Sequence, residues 1–195
     1  MDLMPLFVQA LPFAFASGVN LYATVAVIGI SARLGLFSLP AQFHGFDNAW
    51  VIGIALTFFV IEFFADKVPW VDSIWDAIHT FVRPAGGAMV AMAAVGHVPP
   101  SAEALAAVLG GSVAMTTHLT KAGTRAVVNT SPEPFTNWTL SFGEDIFVIA
   151  LTWVAVHHPF VAAAVSLVLL VGIGFAASIL LKAVRRRFGS KTAPA

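Results

Sequence analysis

Between residues 111 and 129 a largely apolar segment carries Gly111, Ala114, His118, Lys121, Arg125 and Asn129 at intervals of three and four. At about 100° per residue these positions fall within an arc of roughly 80° on one helical face. Two permanent cations and an imidazole on a single face suit the binding of a carboxylate or phosphate, with Arg125 able to engage it bidentately. Thr117 lies beside them. If Lys121 and Arg125 stood unpaired in hydrocarbon, the cost would be about 5 to 7 kcal/mol, comparable to the whole stability of a small domain. They require carboxylates, water or a ligand.

Carboxylates are at hand. Glu62 and Asp66 are spaced four apart, Glu144 and Asp145 are adjacent, and Asp72, Asp76, His79 and Arg83 form a second stripe within roughly 60° of helix face. These groups would serve as countercharges, gates or proton relays, since a carboxylate in apolar surroundings takes up a proton readily. Small residues at Ser17, Gly18 and Asn20, and at Gly111 and Ser112, would unwind or break their helices and expose backbone groups to a substrate. Pro84, Gly86 and Gly87 likewise predict a discontinuous helix.

The elements holding these groups are membrane helices. The chain has 195 residues, is 58% hydrophobic and 10% charged, with a mean hydropathy of +0.88; an average soluble domain is ~25% charged. Residues 3–32 and 159–181 carry no Asp, Glu, Lys, Arg or His, and each exceeds the ~20 residues that cross a hydrocarbon core. Periodicity and proline-rich punctuation predict an all-α polytopic bundle of six spans, at about residues 6–34, 49–66, 71–95, 101–129, 137–156 and 159–186. The whole of 1–195 reads as one membrane domain ending in a basic cytoplasmic tail, 187–195. Asp2 and the absence of an early Lys or Arg fit a cleavable signal peptide poorly, so the N-terminus is expected to be retained. Lys182, Arg185, Arg186, Arg187 and Lys191 place the C-terminus in the cytoplasm, although Arg33 then falls outside.

Aligning residues 14–40 with 108–134 matches Val19 with Val113, Gly29 with Gly123 and Ala32 with Ala126. Ile54-Ala55-Leu56-Thr57 recurs as Ile149-Ala150-Leu151-Thr152. Collinear matches suggest an inverted three-helix repeat, 1–98 and 99–186, with chance similarity among small apolar residues as the alternative.

Other chemistries find less support. With no cysteine there is neither a disulfide nor a thiolate metal site. Asp72, Asp76, His79, Glu62 and Asp66 match no metal-ligand spacing, and Arg83 and Lys67 would compete for the carboxylates. No P-loop, GxSxG elbow or HExxH occurs. Neither enzymatic activity nor a cofactor is expected, although a lipid-modifying membrane enzyme stays open. Zero formal charge argues against nucleic acid. The expected partners are the bilayer and a small anion or lipid phosphate, and small residues would allow a homodimer.

Three segments resemble a known family: Ala16-Ser17-Gly18-Val19-Asn20-Leu21-Tyr22; Ala65-Asp66-Lys67-Val68-Pro69 through Asp72 and Asp76; and Thr117-His118-Leu119-Thr120-Lys121-Ala122-Gly123-Thr124-Arg125 followed by Asn129-Thr130-Ser131-Pro132-Glu133-Pro134. They are similar to the bacterial membrane family called domain of unknown function 4126. The resemblance implies a small multi-span protein of the bacterial inner membrane, and supplies neither ligand nor catalytic residues. A transporter, channel or flippase for a small anionic or phosphate-bearing substrate, with or without proton coupling, is the function expected. The alternative is a noncatalytic structural or partner-binding membrane subunit whose buried charges only lock helices together.

Overall fold

A computed structural model describes residues 3–36, 43, 45–130 and 134–188. Seven helices and no strand form among them: α1 Met4–Val19, α2 Leu21–Arg33, α3 Ala49–Ala65, α4 Pro69–Val95, α5 Pro100–Val128, α6 Pro134–His157 and α7 Pro159–Phe188. Proline supplies the starts. It occupies the first turn of α1, α4 and α5 and opens α6 and α7, where a missing N–H costs no helical bond. Gly96, at φ +73°, ends α4 in a conformation open chiefly to glycine.

Where the sequence predicts one long first span, the chain breaks at Asn20. Its backbone is extended, at φ −150° and ψ 100°, and its side chain caps α2 by accepting from the Ala23 N–H at 2.9 Å. The other two expected breaks do not occur. Helix α4 runs unbroken through Pro84, Gly86 and Gly87, and α5 through Gly110, Gly111 and Ser112. These glycines serve close packing instead. A Cβ on Gly87 would strike Ala114, one on Gly110 would strike Ala91, and one on Gly111 would lie 3.2 Å from the Pro84 carbonyl. Nor does α5 break at Ala114, the position aligned with Asn20 in the suspected repeat.

Helices α4 and α5 form an intimate hairpin, and α1 lies against both. Their seam is built of Ala10, Ala14, Ala91, Ala94 and Ala106 with Phe13, Val90 and Val95. Helix α2 packs on α3 and α6, and α7 covers α1 and α6.

Three helices, at Pro69–Val95, Phe135–His157 and Pro159–Arg187, are long and apolar enough to cross a membrane. Helices α1, α2 and α3 are apolar but shorter. Outward-facing Val168, Val171, Phe175 and Leu180 on α7 are 65–70% exposed, a surface suited to lipid rather than water. Lys191 and the rest of the basic tail beyond 188, parts of the 37–47 connection and Ser131-Pro132-Glu133 lie outside the described residues.

Candidate functional site

The Lys67-Val68-Pro69 corner ends α3 and starts α4, so the last turn of one and the first turns of the other open onto common space. Glu62 and Asp66 enter it from α3, and Asp72 and Asp76 from α4. Because α4 and α5 are joined as a hairpin, the end of α5 meets the start of α4. This brings the basic face of α5 onto four carboxylates. Asp72 in the first turn of α4 and Arg125 in the last turn of α5 also suit the helix dipoles.

Lys121 is 5% exposed. Its Nζ donates to Glu62 Oε1 at 3.1 Å and Asp66 Oδ2 at 3.0 Å, with Glu144 Oε2 from α6 at 3.8 Å. Arg125 directs Nε and Nη2 to Asp72 Oδ1, at 3.3 and 3.2 Å. It also donates to the Asn137 carbonyl at 3.0 Å and, very closely, to the Asp66 carbonyl. Asn129 donates to the other Asp72 oxygen at 2.6 Å. The predicted ladder is thus a set of occupied donors.

Arg83 extends the network inward. It donates to Glu62 Oε1 at 2.5 Å and to the Gly18 carbonyl at 3.1 Å, and stands 3.7 Å from Asp76 Oδ1. Its Nη1 also faces His118 Nδ1 at 3.0 Å. A guanidinium only donates, so Nδ1 must accept and the His118 proton resides on Nε2. That nitrogen meets the Asp76 carbonyl at 3.1 Å and the Thr80 hydroxyl at 3.0 Å. His118 is therefore a neutral bridge whose nitrogens are both engaged.

The remaining polar groups lie around this core. His79 is stacked on Trp75, with Nδ1 2.7 Å from the Trp75 carbonyl and Nε2 2.9 Å from the Tyr22 hydroxyl. Asp145 accepts from Asn20 at 3.1 Å, tying α6 to the α1–α2 break. Thr117 donates to the Phe15 carbonyl at 3.1 Å. Lys67 turns away onto the rings of Phe63 and Phe142, 3.2 and 4.4 Å from their centroids, and burial there pushes its ammonium below the usual lysine range.

Several expected substrate contacts fall elsewhere. Ser112 lies on the exposed side of α5 and donates to the Val108 carbonyl, because one residue past Gly111 is about 100° away from the ladder. Gly111 touches Pro84 and lines no site, and Gly18 sits where any Cβ would collide with Thr117 and Ala114. Ser17 is wholly buried, with a hydroxyl that finds no partner among the described residues. Arg83 belongs at the centre, beyond its sequence reading as a competitor for the carboxylates. Its spacing of i, i+4, i+7 and i+11 from Asp72 was the available signal. Tyr22, Thr80 and Asn137 carry no comparable sequence signal.

The ion-paired network joins five carboxylates, Glu62, Asp66, Asp72, Asp76 and Glu144, to three cations, Arg83, Lys121 and Arg125. Two negative charges are in excess. Four buried carboxylate oxygens of the network, Glu62 Oε2, Asp66 Oδ1, Asp76 Oδ1 and Glu144 Oε2, accept no hydrogen bond among the described residues, and neither does Oδ2 of neighbouring Asp145. A buried charged acceptor without a donor is costly, and a proton supplies the donor while removing the charge. Two cavities adjoin the network: a polar one of about 180 Å³ between α4 and α5, and a wider, mainly apolar one of about 640 Å³ beside Glu144 on α6. Among the described residues no three His, Asp or Glu side chains converge as a metal site.

No curated protein and no solved structure matches the chain. A family model matches residues 7–179, so the match takes in five of the helices whole and most of α1 and α7, with every residue of the network. The chain belongs to the family described as domain of unknown function (DUF4126).

Proposed function

We propose that the chain is a proton-coupled carrier of a small anionic or phosphate-bearing solute in a bacterial cytoplasmic membrane. It crosses six times, with α1 and α2 together making the first crossing and the C-terminus inside. The observation that carries this reading is the buried Lys121 ammonium shared by Glu62 and Asp66, with Glu144 beside it. With the carboxylates charged, Lys121 and Arg125 are closed to an outside anion because internal anions already hold them. Protonating those carboxylates withdraws the countercharge and turns the cations over to the solute. One charge replaces another, so the large desolvation cost of an extra buried ion is avoided. At 3 to 4 Å and an effective dielectric near 20, each such pairing is worth about 4 to 6 kcal/mol before desolvation. A swap is therefore feasible where a bare addition is not.

The test is uptake by proteoliposomes under an imposed pH gradient, using labelled inorganic phosphate and small carboxylates. Uptake of at least one anion should follow the gradient and vanish in Lys121→Met combined with Asp66→Asn, which preserves charge balance. If the paired variant transports as well as the parent, the proposal fails. A structural subunit is the second reading, favoured because each cation has a carboxylate within 3.2 Å. On that reading no anion in the panel is carried and the substitutions alter stability alone.

A further inference from the structure

We infer that Asp76 is the carboxylate that loads the proton, taking it from water in the α4–α5 groove; this rests on the carrier reading above for its purpose but not for its chemistry. Of the other carboxylates only Asp72 lines this groove, and Glu62 and Asp66 lie behind it, each with one oxygen on a cation and one without a partner among the described residues. Glu62 Oε1 holds both Arg83 and Lys121, Asp66 Oδ2 holds Lys121, and Asp72 uses one oxygen for Arg125 and the other for Asn129. Asp76 is 4% exposed and takes no side-chain hydrogen bond among the described residues. Its nearest cation is Arg83 at 3.7 Å, beyond hydrogen-bonding reach.

The groove leads to it. The cavity of about 180 Å³ is lined by Asp76 together with Asp72, Ser73, Thr80, Arg125 and Asn129, and kept open by the small side chains of Ala77 and Ala126. At ~30 Å³ each, about six waters would fill it. A hydronium there gives its proton to the Asp76 carboxylate and stays behind as water. The bond formed is O–H on the carboxyl, and the network loses one negative charge.

Every element packed against Asp76 fixes what that change does. From α3 it faces the charge of Glu62 and Asp66; from α5, His118, Lys121 and Arg125; on its own helix, Asp72, His79 and Arg83. Helix α2 adds Tyr22 on His79, and α1 offers the Gly18 carbonyl to Arg83. His118 is excluded as the carrier of the proton, since Arg83 occupies its Nδ1 and the Asp76 carbonyl its Nε2. A neutral Asp76 releases Arg83 toward Glu62. Glu62 then has less charge to share with Lys121, which is how a proton in the groove would free the ammonium.

Infrared difference spectroscopy of the full chain in lipid nanodiscs reads the proton directly. On acidification a protonated-carboxyl band should appear, be absent in Asp76→Asn, and persist in Glu144→Gln. Persistence of that band in Asp76→Asn, or its loss in Glu144→Gln instead, would overturn the assignment. Ala77→Leu with Ala126→Leu fills the groove and leaves every carboxylate in place. It should slow deuterium exchange of the band at least tenfold, and an unchanged rate overturns the route even if Asp76→Asn does not fold. A normal Asp76 band in a protein that carries no anion would remove the carrier reading and leave the proton site standing. Anion uptake with no Asp76 band would do the reverse.

Discussion

The first half of the buried α5 face consists of Ala102, Ala106, Gly110 and Ala114, and the second half of Thr117, His118, Lys121 and Arg125. One stripe of one helix thus holds its neighbours by two means. In the first half, backbone comes near to backbone: Gly110 lies where a Cβ would meet Ala91 and the Gly87 carbonyl, and Ala114 fills the spaces beside Gly18 and Gly87. Such contacts are short-ranged and leave no alternative arrangement. In the second half, long side chains reach carboxylates on three other helices, and Lys121 has three of them within 4 Å. On the proposed carrier reading, partners there would exchange through rotamer changes of these long side chains. The apolar half is a close-packed seam, and the charged half is the part that would change partners on the proposed carrier reading.

Removing a partner from the charged half is the largest blow. Lys121→Met strands Glu62 and Asp66 and should lower unfolding free energy by about 3 to 5 kcal/mol, measured by denaturant titration in detergent. Adding Asp66→Asn should return much of that loss, and a double-mutant cycle without coupling between the two sites would contradict the assigned pair. In the seam, Gly18→Ala and Gly110→Ala should each cost about 1 to 3 kcal/mol by forcing packed helices apart. Gly123, on the same helix, has nothing within 4 Å of a built Cβ. Gly123→Ala should therefore raise stability by up to about 1 kcal/mol through helix propensity, and a loss comparable to that of Gly110→Ala would blur the distinction drawn here. Ser112→Ala removes a hydroxyl bonded only to its own helix and should move the melting curve by no more than about 0.5 kcal/mol.

The common face of His118, Lys121 and Arg125 was legible because helical period alone sets it. Glu62, Asp66 and Asp72 were legible as candidate countercharges because few other acids lie in apolar segments. Which acid meets which base was not legible. Arg83 illustrates the gap: its stripe was visible, yet its contacts with Gly18, 65 positions earlier, and with His118, 35 later, depend on how three helices lie together. The glycines illustrate it differently. Gly87 and Gly110 are equally compatible with a broken helix and with a tight crossing, and only the opposing Ala114 and Ala91 select the crossing.

Composition and period alone determined an apolar all-helical chain whose charges gather on a few helix faces, because hydrophobicity and the 100° repeat act within a segment. Tertiary structure decided that those charges neutralise one another around an oxygen-rich surplus beside the α4–α5 groove. Ion pairing depends on separations of a few ångströms, and these are fixed only when the α3–α4 corner and the α4–α5 hairpin bring distant turns together.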